Sequence, residues 1–153
     1  MRELVRLEIN VATIAATRGV SRAAIARRAG CSRSHLQEVL AGRRSVGIDL
    51  VSAFGWELEV KCAAFFRDPD VSPFFTCALL DAREDVRRIL ATNFRTVTIE
   101  RYGSLDVAAV AAASGWHPSC VYALLARRFS LCIDKLHTLA TGLGTTACVL
   151  LRS

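Results

Sequence analysis

The feature that most constrains this chain is that it contains one stretch of sequence twice. Laid against itself at an offset of 85, with no gap, it is identical at 13 of the 37 positions from Thr13 to Asp49. Thr13, Ile14, Ala23, Ala24, Ala26, Gly30, Ser34, Leu40, Ala41, Arg43, Ser45, Ile48 and Asp49 recur as Thr98, Ile99, Ala108, Ala109, Ala111, Gly115, Ser119, Leu125, Ala126, Arg128, Ser130, Ile133 and Asp134. Apolar positions agree as well, with Ile25, Leu36, Val39 and Phe54 opposite Val110, Val121, Leu124 and Leu139. Such a repeat implies two copies of one supersecondary unit. Within 153 residues the division expected is copy one over 1–67, a linker and connecting helix over 68–92, and copy two over 93–153. Units near 60 residues can fold alone if helical. The 52% hydrophobic content supplies material for a core.

Each copy reads as short helices. Leu4, Leu7, Val11 and Ile14 lie at helical spacing, and Arg18-Gly19 ends that run. Ser21 is the expected N-cap of "RAAIARRA", Gly30 its end, and Ser32 the N-cap of "RSHLQEVLA", which stops at Gly42. A fourth helix is expected from Ile48 to Phe54, and Arg67 to Pro73 reads as a linker before a connecting helix from Phe74 to Thr92. "WELEVKCAAFF" (Trp56 to Phe66) and "TTACVLL" (Thr145 to Leu151) read as strands, from alternation in the first and β-branched, apolar content in the second. Each would lack a partner unless Val60–Phe66 and Thr145–Leu151 pair antiparallel, which would make the monomer a pseudo-dimer. The fold class expected is therefore mainly α, with two short strands.

The second and third segments of copy one meet the demands of a helix-turn-helix. That geometry needs a small residue where the helices cross (Ala26), a glycine free to take positive φ in the turn (Gly30), and apolar anchors behind the second helix (Leu36, Val39, Leu40). Charge concentrates in the same place. From Arg18 to Ser45 there are seven arginines and one acid, Glu38, so this stretch carries the whole formal charge of +6. A basic patch confined to such a motif is the footprint of a phosphate-facing surface.

In its order "S-x-x-x-I-A-x-x-A-G-C-S-x-S-x-L-x-x-V-L-A-G", this stretch resembles the DNA-binding domain of the lambda-repressor and Cro family of bacterial and phage regulators. The resemblance covers Leu4 to Val60 well and Phe94 to Leu151 more weakly. It implies that the helix over 32–41 enters the major groove, with Arg33, Ser34, Gln37 and Glu38 as base-reading residues. It implies phosphate contacts from Arg22, Ser32, Arg43 and Arg44. His35 faces either DNA or solvent, while Trp56 and Trp116 read as packing residues.

Copy two keeps the spacing and loses the charge. "DVAAVAAAS" has no basic residue, and "PSCVYALLA" offers only Ser119 and Tyr122 as polar readers, flanked by His117, Arg127 and Arg128. Either copy two docks on DNA through those arginines or it binds a protein partner. The expected function is a sequence-specific, double-stranded-DNA-binding transcriptional regulator of phage or bacterial type, cytoplasmic and monomeric. The alternative is an antitoxin or adaptor of the same superfamily, because "AFGWELEV" is similar to the helix-then-strand ending of small antitoxins.

Other classes find little support. Six cysteines without a C-x-x-C pair or a secretory signal read as reduced, and they form no metal-ligand spacing with His35, His117 and His137. No cofactor is expected. "GLGTT" lacks the lysine of a phosphate-binding loop and no catalytic constellation is visible, so an enzyme is not expected. The uncharged run Val107 to Ala126 is long enough to span a membrane, but "SGWHPS" interrupts it and predicts two helices and a turn.

Overall fold

A computed structural model describes residues 3–68, 85–128 and 130–153. Its elements, in order, are α1 (Glu3–Arg18), α2 (Arg22–Arg28), α3 (Arg33–Leu40), α4 (Ile48–Leu58), a 3-10 helix (Cys62–Phe66), α5 (Val86–Tyr102), α6 (Val107–Ser114), α7 (Pro118–Leu125), α8 (Ile133–Gly142) and α9 (Ala147–Leu150). The molecule is mainly helical, and no strand occurs among the described residues. The expected connecting helix falls on 74–84, outside the described residues, and then on α5. The expected boundary at 92/93 therefore lies inside a continuous helix.

The caps show why the helices begin and end where they do. Ser21 Oγ accepts from Ala24 N–H and Ser32 Oγ from His35 N–H, each satisfying a donor that the first turn leaves open. In copy two the equivalent work is done by the Asp106 carboxylate for Ala109 N–H and by His117 Nδ1 for Ser119 N–H. Gly30 and Gly115 close the second helix of each copy at φ 70° and 67°.

Both strand expectations are corrected. α4 runs on to Leu58, because Val51, Phe54 and Leu58 form one fully buried stripe at helical spacing. The alternation of Trp56, Leu58 and Val60 is produced differently. Glu59 takes a left-handed conformation (φ 51°), and Val60 N–H turns back to the Gly55 carbonyl at 2.9 Å. Thr145–Leu151 holds the short helix α9, capped by Thr146 Oγ1, with Ala147, Leu150 and Leu151 buried.

The repeat is structural, with one amendment. From the second helix onward an offset of 85 maps α2 to α6, α3 to α7, α4 to α8 and the 3-10 helix to α9. In the first helix the offset is 83. Leu7, Asn10, Val11 and Ala15 correspond to Leu90, Asn93, Phe94 and Thr98. The identities of Thr13 with Thr98 and Ile14 with Ile99 are coincidental: Thr98 and Ile14 are buried, whereas Thr13 and Ile99 are exposed. Asparagine confirms the register. Asn10, 2% exposed, donates to the Phe65 and Arg67 carbonyls at 2.9 and 3.0 Å. Asn93 donates to the equivalent Leu150 and Arg152 carbonyls at 3.1 and 2.7 Å. Copy two has two extra residues, shared between α5 and the turn before α6.

The copies meet about a pseudo-two-fold axis, where the two segments expected to pair as strands pack as short helices and form no ladder. Gly47 and Cys132, equivalent residues, form a single antiparallel bridge. Ile48 N–H donates to Leu131 C=O and Ile133 N–H to Val46 C=O, both at 2.9 Å. Reciprocal packing surrounds it: α1 lies on α8 as α5 lies on α4, and the 3-10 helix lies on α9. One hydrophobic core runs through both copies, with Phe54, Phe65, Phe66, Phe94, Leu131 and Leu136 among its fully buried members. Sharing that core removes apolar surface that either small unit would otherwise leave in water.

Candidate nucleic-acid interface

α3 is held from behind and exposed in front. Leu36, Val39 and Leu40 are buried, while Arg33, Ser34, Gln37 and Glu38 are exposed. The crossing depends on Ala26, which is buried in α2. Cys31, in the turn, is half-buried against the core, and burial pushes its thiol up from the ordinary value. It is a packing residue. Trp116 takes the same place in copy two, its N–H bonded to Ala111 C=O as Cys31 N–H is to Ala26 C=O.

Five of the expected contact residues line one concavity. Arg22, Ser34, Gln37, Glu38 and Arg43 surround it together with Glu8 of α1, an acid that no sequence motif had connected with the site. Arg33, Ser32 and Arg44 do not line it. Arg33 is the first residue of α3, and Ser32 is its cap. Ser32 Oγ is also bonded to Ser34 Oγ at 3.1 Å, so these two hydroxyls engage one another as well as the helix end.

The arginines divide by partner. Arg18 is bonded to Glu59 at 2.8 Å, Arg28 lies 3.9 Å from Glu57 with its guanidinium 5.6 Å from the Trp56 ring centre, and Arg44 lies 3.5 Å from Glu38. Arg22, Arg27, Arg33 and Arg43 are exposed and make no ion pair among the described residues. Trp56 lies within α4 and does not open a strand; half-buried under Arg28, it is one wall of a separate cleft of about 550 Å³ that Arg87 and Asp49 also line.

In copy two, His117, Ser119, Tyr122, Arg127 and Arg128 are all exposed. His117 caps α7 and its Nδ1 lies 2.7 Å from Ser119 Oγ. Tyr122 is 61% exposed and stands where copy one has Gln37. Arg127 and Arg128 follow the helix, with no ion pair among the described residues. The described residues contain no group of three or more His, Cys, Asp or Glu placed to hold a metal ion, and no helix long and apolar enough to cross a membrane. No protein-family model, curated protein or solved structure matches the chain.

Proposed function

We propose that this protein is a sequence-specific double-stranded-DNA-binding regulator that reads the major groove with α3, as its resemblance to lambda-repressor-like tandem helix-turn-helix domains implies. The observation that carries the reading is the exposed side of α3: Arg22 and Arg43, with no ion pair among the described residues, line a concavity with its Ser34, Gln37 and Glu38, Arg33 opens the helix, and its inward residues Leu36, Val39 and Leu40 are buried. Such a helix fits a groove about 12 Å wide. Arg33 and Gln37 supply the bidentate chemistry that distinguishes guanine and adenine edges, and Arg22 and Arg43 supply phosphate contacts.

The two-fold arrangement supports a monomeric pseudo-dimer. Leu40 precedes Gly47, and Leu125 precedes Cys132, by seven positions, so each outward helix ends within about 25 Å of the axis by chain reach. Successive major-groove half-sites are about 34 Å apart, or roughly 17 Å from such an axis. The antitoxin reading rested on a helix-then-strand ending. In its place α4 continues to Leu58 and a 3-10 helix follows.

The test is selection of bound duplexes from a random pool, followed by affinity measurements. Arg33→Ala should cost about 1–3 kcal/mol on the preferred site and relax preference at one base pair. Equal losses on every sequence would remove α3 from base reading. Arg43→Ala with Arg44→Ala should flatten log K against log salt by about 1.8 if both contact phosphate, each contact counting about 0.9. Retention by Glu38 would reduce the share of Arg44.

A further inference from the structure

We propose that copy two grips the DNA backbone without reading bases, and that Arg127 is its principal phosphate contact. This rests on the DNA-binding reading above and assigns copy two its part in it.

The turns that follow α3 and α7 are the same turn. Gly42 N–H donates to Val39 C=O at 3.0 Å and Arg43 N–H to Glu38 C=O at 2.9 Å; Arg127 N–H donates to Leu124 C=O and Arg128 N–H to Ala123 C=O, both at 2.9 Å. The pattern requires a left-handed residue just past the helix, where glycine alone carries no Cβ penalty. Copy one has Gly42 there at φ 66°, and copy two has Arg127 at φ 58°. Only one other non-glycine residue among those described has positive φ, and it is Glu59, whose carboxylate is bonded to Arg18 at 2.8 Å. Arg127 is exposed and makes no side-chain hydrogen bond or ion pair among the described residues. Among the described residues no side-chain bond or ion pair offsets its backbone strain. Residues held in this way cluster at functional sites.

The surroundings identify the partner as a polyanion. In copy one Glu38 holds Arg44, but its equivalent in copy two is Ala123, and α7 carries no acid to compete for Arg127 and Arg128. Base reading is poorly served by the same helix. Its outward positions present Pro118, Ala123, the Tyr122 ring, and a Ser119 hydroxyl already 2.7 Å from His117 Nδ1. None is a bidentate donor of the kind that discriminates base pairs. Two cations beside a helix without readers give affinity that depends on salt and not on sequence.

Two variants test this against duplexes selected by the wild-type protein and against scrambled ones. Arg127→Gly should raise the thermal midpoint, because the strain is relieved, while weakening both duplexes equally and flattening the salt slope by about 0.9. Arg127→Gln should lose the same slope without the thermal gain. Unchanged affinity and slope in both variants would overturn the proposal and leave copy one's role intact, as would a loss confined to the selected sequence. A wild-type protein that captures no duplex from the random pool would overturn the DNA-binding reading and this inference with it.

Discussion

At the junction of the second and fourth helices the two copies use opposite means to hold one arrangement. Copy one places Arg28 beside Glu57 and over the Trp56 ring, a contact made by long side chains. In copy two the residues equivalent to Arg28 and Glu57 are Ala113 and Gly142, and the backbones themselves approach. A Cβ at Gly142 would stand 2.8 Å from the Ala113 carbonyl oxygen and 3.0 Å from Ser114 Cα. The difference teaches that this scaffold does not need the charge of the basic motif. Copy two keeps the crossing of α6 on α8 by close contact between small residues. Arg28 therefore has a packing role that its position in an arginine-rich stretch does not reveal, whereas Arg22, Arg27, Arg33 and Arg43 are exposed and make no ion pair among the described residues.

The comparison is sharpened most by the paired asparagines. Asn10→Ala removes both donors, one of them from the buried Phe65 carbonyl, and should cost about 3 kcal/mol in chemical denaturation, at the upper end for an unsatisfied buried group. Asn93→Ala makes the same deletion at a half-exposed position, where water can replace the amide, and should cost about 1 kcal/mol. Equal losses would mean that burial does not distinguish the two copies.

Next in size is the junction itself. Gly142→Ala should lose about 1–2 kcal/mol, since overpacking of about 1–3 is partly offset by the helix propensity of alanine, at most about 1. Its counterpart Glu57→Ala removes only a partly exposed ion pair and should change stability by less than about 1 kcal/mol. A larger effect at Glu57 than at Gly142 would reverse the assignment of side-chain and backbone contact to the two copies.

The smallest effect concerns Asp49 and its equivalent, Asp134. A bidentate hydrogen bond from Arg87, aided by Ser130 and the Arg87 charge and opposed by burial, holds the Asp49 carboxyl below its ordinary value. Because the folded-state value is depressed, the stabilisation is fully present above the unfolded value of about 3.9 and is lost as pH falls through the folded value. With the Asp49 side chain 40% exposed, Asp49→Asn should cost less than about 1 kcal/mol at neutral pH. It should also make the acid limb of the stability profile shallower. Asp134, which has no ion pair among the described residues, should give a smaller loss.

Much of the α2–turn–α3 scaffold is legible in the sequence because it depends on local rules. Ser21 and Ser32 cap, Gly30 turns, and Ala26 and Leu36 pack, each within one or two turns of chain. The two strands were misread for a reason equally local. Five alternating residues, Trp56 to Val60, satisfy a period of two, yet Leu58 also falls in register with Val51 and Phe54, and the helix prevails by burying that stripe. Glu8 carries no signal in the sequence because nothing short-range ties it to the concavity beside α3.

By itself the sequence determined that there are two copies, that their middle helices cross at an alanine and turn at a glycine, and that charge belongs to the first. These follow from spacing and composition, which act along the chain. Tertiary structure alone decided how the copies join, through a bridge at Gly47 and Cys132 and through terminal segments packed as short helices in place of strands. It also set the first-helix offset to 83, because burial of Leu90, Phe94 and Thr98 outweighs the identity of two surface-compatible residues. Which arginines remain unpaired was decided in the same way: Glu57 and Glu59 lie far from Arg28 and Arg18 in sequence, and only folding brings them within reach.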